Sequence, residues 1–207
     1  MGKTVTVGVT GASGSIYAAR TLRALDAADA IERVDLVVSR HARIALDEEL
    51  DVPRDGPLDV KRLIGVEPAK TVLDDDAAID SRLASGSNPS LGMVVIPCSM
   101  GTLARLVHGV SDSLLLRAAD VCLKEQRKLI LAVRETPLNQ VHLRNLLAAA
   151  EVGATVMPAM PAFYQRPQTL DDMVDHFVAR VLAHLGVTTP LGRRWRPRRD
   201  DAHRDDR

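Results

Sequence analysis

The segment Gly92–Ala104 constrains the fold of this chain more than any other part of its 207 residues. It begins with the apolar run Met93–Ile96, in which apolar and polar residues do not alternate. Such a run is typical of a central strand that is covered on both faces of its sheet. Small hydroxyl residues follow at once around Gly101, and a helical pattern begins after them. The segment therefore predicts a buried parallel strand ending in a strand-to-helix turn, which is where open α/β sheets bind their ligands.

Strand and helix patterns alternate along the rest of the chain. The predicted strands are Thr4–Val9, Val34–Ser39, Thr71–Leu73, Met93–Ile96, Leu129–Val133 and Ala154–Met157. The predicted helices are Ser15–Ala28, His41–Leu50, Leu58–Ile64, Leu103–Val107, Ser113–Glu125, Gln140–Ala150 and Leu170–Leu185. This order predicts an α/β protein with a Rossmann-like (flavodoxin-like) open parallel sheet and helices on both faces.

Composition limits the class of protein. Apolar residues make up 46% of the chain, which predicts one globular domain over residues 1–190. Residues 191–207 are rich in Arg and Asp and predict a disordered, charged tail. The formal net charge of zero argues against nucleic-acid binding, and no stretch approaches the roughly 18 apolar residues that cross a membrane. Cys98 and Cys122 lack metal-ligand spacing, which favours a cytoplasmic protein with reduced thiols and no metal site.

Three predicted turns place small polar residues at the same edge of the sheet. Backbone N–H groups at helix N-termini, together with hydroxyls, suit a phosphorylated ligand. A structural interpretation also stands for two of the turns, with Ser13 or Ser15 as the N-cap of the first helix and Ser39 as that of the second. The candidate residues are Gly11, Ala12 and Ser13 in the first turn, Ser39 in the second, and Ser99, Met100, Gly101 and Thr102 in the third.

Charged residues and a proline-rich loop add further candidates. Arg134 and Glu135 directly follow a buried strand, where Arg can bind phosphate and Glu can move a proton, or the two can form an ion pair that caps the sheet. The loop Pro158–Tyr164 can wall an apolar pocket or serve as a packed connection. Cys98 is interpreted as a buried apolar filler.

Taken together, these segments resemble the flavin prenyltransferase family, the UbiX/Pad1-type proteins. The resemblance covers residues 4 to about 187, and its specificity comes from the order of the motifs, since each motif alone is weak. The matching motifs are Gly11–Gly14 with Tyr17, Ser39 with Glu49, Ser85–Ser87, Pro97–Ala104, Arg117–Val121 with Leu123–Glu125, Arg134–Leu138 with His142–Leu143, and Pro158–Tyr164 with Pro167.

The resemblance implies a function. It implies a metal-independent enzyme that joins the dimethylallyl group of dimethylallyl phosphate to N5 and C6 of reduced FMN. The product, prenylated FMN, would serve a UbiD-type decarboxylase. The resemblance also implies a homo-oligomer, a dodecamer, with sites that lie between subunits.

The resemblance also implies roles for individual residues. Glu49 and Ser13 would lie near the reacting edge of the flavin, and Glu135 would lie near the leaving phosphate, with Lys124 as a further catalytic residue. Tyr164 and Arg180, with Lys124 and Glu135, would hold dimethylallyl phosphate. The residues implied to bind FMN are Gly11, Ala12, Ser13, Ser39, Ser99, Met100, Gly101, Thr102 and Arg134.

Two positions depart from the family pattern, and two other functions stay open. Asp112-Ser113 stands where the family commonly has Asp-Asn, and Ile79 lies where some relatives carry Trp, so the prenyl pocket can differ in shape. One alternative is a flavin-dependent decarboxylase of cysteine-type substrates. The other is a non-catalytic FMN carrier.

Overall fold

The computed structural model describes residues 3–191, in which a single open sheet of six parallel strands forms the centre of the fold. The strands run in the order β3-β2-β1-β4-β5-β6. They are β1 (Thr4–Val9), β2 (Arg33–Val38), β3 (Thr71–Asp74), β4 (Gly92–Cys98), β5 (Lys128–Val133) and β6 (Thr155–Val156). The strand order reverses between β1 and β4, so the crevice at their carboxyl ends is the topological switch point at which such sheets bind ligands.

Helices cover both faces of this sheet. They are α1 (Ser15–Asp26), α2 (Ala42–Leu50), α3 (Val60–Ile64), α4 (Met100–Val107), α5 (Leu114–Lys124), α6 (Gln140–Glu151) and α7 (Leu170–Leu185), with a 3₁₀ turn at Arg82–Ala84. Helices α1, α2, α3 and α7 contribute to one apolar core, and α4, α5 and α6 contribute to a second core on the other face. The predicted Rossmann-like open sheet with two helical layers is confirmed.

Strand β4 is the centre of this arrangement, because all seven of its residues are buried. Val94 and Ile96 belong to the first apolar core, and Met93 and Val95 belong to the second. This is the two-sided burial that the uninterrupted apolar run predicts.

Several predicted boundaries shift by two or three residues because side chains cap the helices. Helix α4 begins at Met100, three residues before the predicted start, since the Thr102 N–H donates to Ser99 Oγ at 3.2 Å. Helix α3 begins two residues late because the side chain of Asp59 accepts the Arg62 N–H. Of the predicted tail, residues 191–207, all but Leu191 lie outside the described residues.

Two features are absent from the described part of the chain. No helix within residues 3–191 is long and apolar enough to cross a membrane. The same part of the chain contains no group of three or more His, Cys, Asp or Glu side chains that could hold a metal ion.

Candidate functional site

Thr10 joins the two strand-to-helix turns at the switch point. Its Oγ1 donates to the Pro97 carbonyl at 2.7 Å and accepts the Ser99 N–H at 2.8 Å, and the residue is 1% exposed. Since both bonds span from the end of β1 to the end of β4, they fix the Ser99 turn relative to the first turn. Sequence reasoning identified the turn at Gly11, Ala12 and Ser13, which Thr10 precedes, but missed these hydrogen bonds.

The turn before α4 presents an open helix N-terminus. Ser99 Oγ lies 3.0 Å from Thr102 Oγ1, which fixes both hydroxyls at the first turn of the helix. The N–H groups of Met100 and Gly101 occupy the first two positions of α4, where helix geometry provides no carbonyl partner within the helix. A Cβ atom added to Gly101 would meet no atom within 4 Å, so the space beside these N–H groups is open. The arrangement suits an anion.

The N-terminus of α1 is closed by a carboxylate from another helix. Glu49 in α2 accepts the Gly14 N–H at 2.9 Å and the Ser15 N–H at 2.7 Å. The expectation that Ser13 or Ser15 is the N-cap is wrong: Gly14 holds the N-cap position with a left-handed φ of 108° and makes no side-chain cap. Glu49 therefore occupies the position that a ligand phosphate would take at this helix end.

The hydrogen bonds also control the charge of Glu49. Partial burial raises its pKa, but hydrogen bonds from Ser15, Ser13 and Gly14 outweigh the burial and hold the pKa below the usual value. The carboxylate is therefore ionised at neutral pH. An ionised Glu49 can accept a proton from a group bound beside it.

The turn after β2 packs closely against the turn after β1. A Cβ atom on Gly11 would lie 2.8 Å from His41 Cβ and 3.0 Å from the His41 carbonyl oxygen, so this position requires glycine. Ser39 donates its N–H to the Val9 carbonyl at 2.9 Å, and its Oγ accepts the Ala42 N–H at 3.3 Å. The structural interpretation of Ser39 as an N-cap is wrong, because His41 holds the N-cap position of α2 and makes no side-chain cap. Ser39 lies on the shared carboxyl edge of the sheet.

Arg134 and Glu135 extend the same edge from β5. Arg134 donates its N–H to the Cys98 carbonyl at 3.1 Å and its side chain is exposed. Burial raises the pKa of Tyr17 in α1, and the positive charge of Arg134 lowers it by less. Glu135 Oε1 accepts the N–H of Thr136 at 3.0 Å. Among the ion pairs of residues 3–191 none joins Arg134 to Glu135, so the alternative interpretation of the two as an ion-pair cap is wrong.

Tyr164 is held by His176, which sequence reasoning missed, and Arg180 lies four residues after His176 on α7. The Tyr164 hydroxyl lies 3.0 Å from His176 Nε2, and the two rings meet edge to face at 88° with centroids 5.4 Å apart. Burial, and secondarily the charge of Arg180, lower the pKa of His176. The spacing of His176 and Arg180, four residues apart on one helix, was the available sequence signal.

Lys124 lies at the opposite edge of the sheet. It is the last residue of α5, and its Nζ is 2.6 Å from Glu125 Oε1. A Cβ atom on Gly86 would lie 2.9 Å from Lys124 Nζ, so the Ser85–Ser87 loop packs here. Strand β5 begins just after Lys124 and carries the chain about 20 Å to Arg134 and Glu135. Within one chain, Lys124 therefore lies far from Arg134, Glu135 and the other candidate residues at the carboxyl edge of the sheet.

Comparisons with known proteins identify the family. Residues 1–182 match the Flavoprotein family model. The flavin prenyltransferase UbiX of Escherichia coli (strain K12) is 46% identical over 195 residues, which cover 93% of this chain and 98% of that protein. The chain belongs to the UbiX flavin prenyltransferase family.

Solved UbiX-type structures share this fold. A crystal structure of AnUbiX (PadA1) in complex with FMN and dimethylallyl pyrophosphate matches with a TM-score of 0.83 and 35% identity, covering 95% of this chain and 98% of that chain. A dodecameric FMN-dependent UbiX-like decarboxylase from Escherichia coli O157:H7 matches with a TM-score of 0.82 and 41% identity, covering 93% of this chain and 99% of that one.

The two departures from the UbiX family pattern have different structural consequences. Ser113 caps α5, since its Oγ accepts the Leu116 N–H at 3.4 Å, and the Asn common in the family is an equally good N-cap. Ile79 is 62% exposed within this chain. The Ile79 side chain can therefore contact a neighbouring molecule. Ser113, in contrast, keeps the N-cap of α5 that an Asn would also provide.

The cysteines are structural in this UbiX-type chain. Burial raises the pKa of Cys98 to about 12 and that of Cys122 to about 11. Both thiols are free, buried and protonated at neutral pH, which agrees with the interpretation of Cys98 as an apolar filler.

Proposed function

We propose that this protein joins a dimethylallyl group, taken from dimethylallyl phosphate, to N5 and C6 of reduced FMN and so makes prenylated FMN. One observation carries the proposal: Glu49 closes the N-terminus of α1, while the N-terminus of α4 is open. A phosphorylated flavin then has one helix end for its phosphate and an ionised carboxylate at the neighbouring turn. The identity to UbiX of Escherichia coli and the fold match to AnUbiX with FMN and dimethylallyl pyrophosphate support this function.

The residues at the carboxyl edge fit FMN. The open side of Gly101 and the fixed hydroxyls of Ser99 and Thr102 form a cradle for a phosphate at the α4 N-terminus. Bound reduced FMN supplies an electron-rich ring on which the new bonds form. The residues that would hold it are Gly11, Ala12, Ser13, Ser39, Ser99, Met100, Gly101, Thr102 and Arg134.

Glu49 and Ser13 would handle protons at the reacting edge. Glu49 is ionised, and its hydrogen bonds to the Gly14 and Ser15 N–H groups hold the carboxylate in one place. It can therefore take up a proton that the flavin ring loses as a bond forms. The Ser13 hydroxyl, which is also hydrogen-bonded to Glu49, would orient that carboxylate.

Tyr164 and Arg180 would bind the phosphate of the donor, with Glu135 beside it. Cleavage of the allylic C–O bond leaves its electron pair on the phosphate, and hydroxyl and guanidinium donors stabilise the charge that builds there. Because these protein groups stabilise the negative charge of the donor phosphate, the proposed reaction needs no metal ion. Met160 and Phe163 would wall the apolar end of the donor pocket and exclude water.

Lys124 would reach this site from a neighbouring subunit. It lies about 20 Å from Arg134 along the sheet of its own chain, so a second copy must supply it if it touches the donor. Leu143 and Leu147 lie one turn apart on α6 and form an exposed apolar patch, where they are 54% and 61% exposed. Such a patch suits contact between copies. We therefore propose a homo-oligomer, and a dodecamer like that of the Escherichia coli O157:H7 relative.

The product and location follow from the same function. Prenylated FMN would be passed to a UbiD-type decarboxylase, which makes that enzyme the proposed partner. The location would be cytoplasmic, where the free thiols of Cys98 and Cys122 remain reduced.

Anaerobic incubation of the protein with reduced FMN and dimethylallyl phosphate, followed by mass spectrometry of the released flavin, tests the function. The proposal predicts a flavin that is heavier by one five-carbon prenyl unit. Glu49→Gln should slow its formation, while Glu48→Gln, at the exposed neighbouring position, should not. Unmodified FMN from the wild-type protein, with both phosphate and diphosphate donors, would favour the carrier or decarboxylase alternatives.

A further inference from the structure

His176 is a buried polar side chain to which the proposed function assigns no role. It lies in α7 with 9% of its surface exposed. Its Nε2 is 3.0 Å from the Tyr164 hydroxyl, whereas Tyr164 itself is 59% exposed. A buried ring thus holds the polar tip of an exposed side chain.

The neighbours of His176 connect it to the donor site. Arg180 lies one helical turn further along α7, on the same side of the helix as His176. Burial and the Arg180 charge lower the pKa of His176, so the ring is neutral at neutral pH and carries one N–H. The adjacent Asp175 is bound by Arg20, with Oδ1 2.7 Å from Arg20 Nε, and is held toward α1.

The direction of the hydrogen bond determines what Tyr164 can do. If the hydroxyl donates to Nε2, its only proton is used and none is left for a phosphate. If Nε2 carries the proton and donates to the phenolic oxygen, the hydroxyl proton is free to point at a phosphate oxygen. The second arrangement also strengthens the hydroxyl as a donor, because linked hydrogen bonds polarise one another.

We propose that His176 is a positioning residue which donates its Nε2–H to the Tyr164 oxygen and so directs the Tyr164 hydroxyl to the phosphate of the allyl donor. This inference rests on the proposed function, since it takes Tyr164 as a donor-binding residue. His176 does not touch the donor. It fixes the exposed Tyr164 side chain, so less binding free energy is lost to ordering Tyr164 when the donor binds.

The test measures the dissociation constant of dimethylallyl phosphate by calorimetry on the whole protein loaded with oxidised, unreactive FMN. His176→Leu should raise this constant about tenfold, because it removes one hydrogen bond and the order that the bond imposes. His176→Gln places an amide donor near the position of Nε2 and should stay within about threefold of the wild type. His176→Met replaces His176→Leu if the leucine variant does not fold.

A double-mutant cycle separates positioning from a general structural effect. In a Tyr164→Phe background, His176→Leu should change the dissociation constant by less than about twofold. An equal effect in both backgrounds, or a wild-type constant in His176→Leu, would overturn the inference. Failure of the proposed function gives a different result, because the wild-type protein itself would then neither bind the donor nor modify reduced FMN.

Discussion

At the residue scale, Glu49 shows how a site carboxylate is held in its charged form. Partial burial alone would favour the neutral acid, but donors from Ser13, Gly14 and Ser15 outweigh it. The same bonds close the N-terminus of α1, so one side chain both stabilises a helix end and stands ready to accept a proton.

Glu49→Gln should separate these two roles. Because the pKa of Glu49 is lowered on folding, its contribution to stability is present above the unfolded pKa of about 4.3 and is lost as the pH falls through the folded pKa. The wild-type free energy of unfolding should therefore fall more steeply below about pH 4.3 than that of the variant. Chemical denaturation from pH 7 to pH 3 measures this dependence, and identical slopes for the two proteins would contradict the assigned contacts.

The catalytic role of Glu49 predicts a second effect of the same substitution. Prenyl transfer by the Glu49→Gln variant should be slower than that by the wild type by about 10²-fold or more.

At the element scale, the strands could be predicted from local sequence, whereas the long-range hydrogen bonds between the segments that follow them could not. Met93–Ile96 is apolar throughout and becomes the centre of a sheet covered on both faces. The cap of α1 comes from Glu49, 35 residues away from Gly14, and no local pattern shows such a partner. The bond between Tyr164 and His176 was missed because it joins a loop to a helix that only the tertiary fold brings together.

Thr10 provides the sharpest test at this scale. Thr10→Val removes the hydroxyl that joins β1 to β4 and leaves the Pro97 carbonyl and the Ser99 N–H without it. The variant should lose about 1–3 kcal/mol of stability, and its FMN affinity should fall because the Ser99 turn is no longer held. Thr10→Ser keeps the hydroxyl and is the matched control. Urea denaturation and flavin fluorescence titration measure the two effects, and equal behaviour of the two variants would contradict the role of the hydroxyl.

At the scale of the whole molecule, the candidate residues do not assemble within one chain. Lys124 lies at the amino edge of the sheet, while Arg134, Tyr164 and the turn before α4 belong to its other side. The sequence order of these motifs suggested a family but carried no information on which copy supplies which residue. That assignment depends on the path of α5 and β5 between the two edges of the sheet.

Mixed oligomers test whether neighbouring copies share a site. Lys124→Ala and Tyr164→Phe should each be nearly inactive alone. When the two are co-expressed in equal amounts, random assortment gives about a quarter of the sites one intact Lys124 and one intact Tyr164. Transfer activity should rise to about that fraction of the wild type. A mixture no more active than its components would place both residues in the site of one chain.

A crystal structure of the protein with FMN and dimethylallyl phosphate tests the central claim most directly. The account predicts the FMN phosphate at the N-terminus of α4, against the N–H groups of Met100 and Gly101, with Glu49 still bound to Gly14 and Ser15. A flavin phosphate at the N-terminus of α1, with Glu49 displaced, would contradict it.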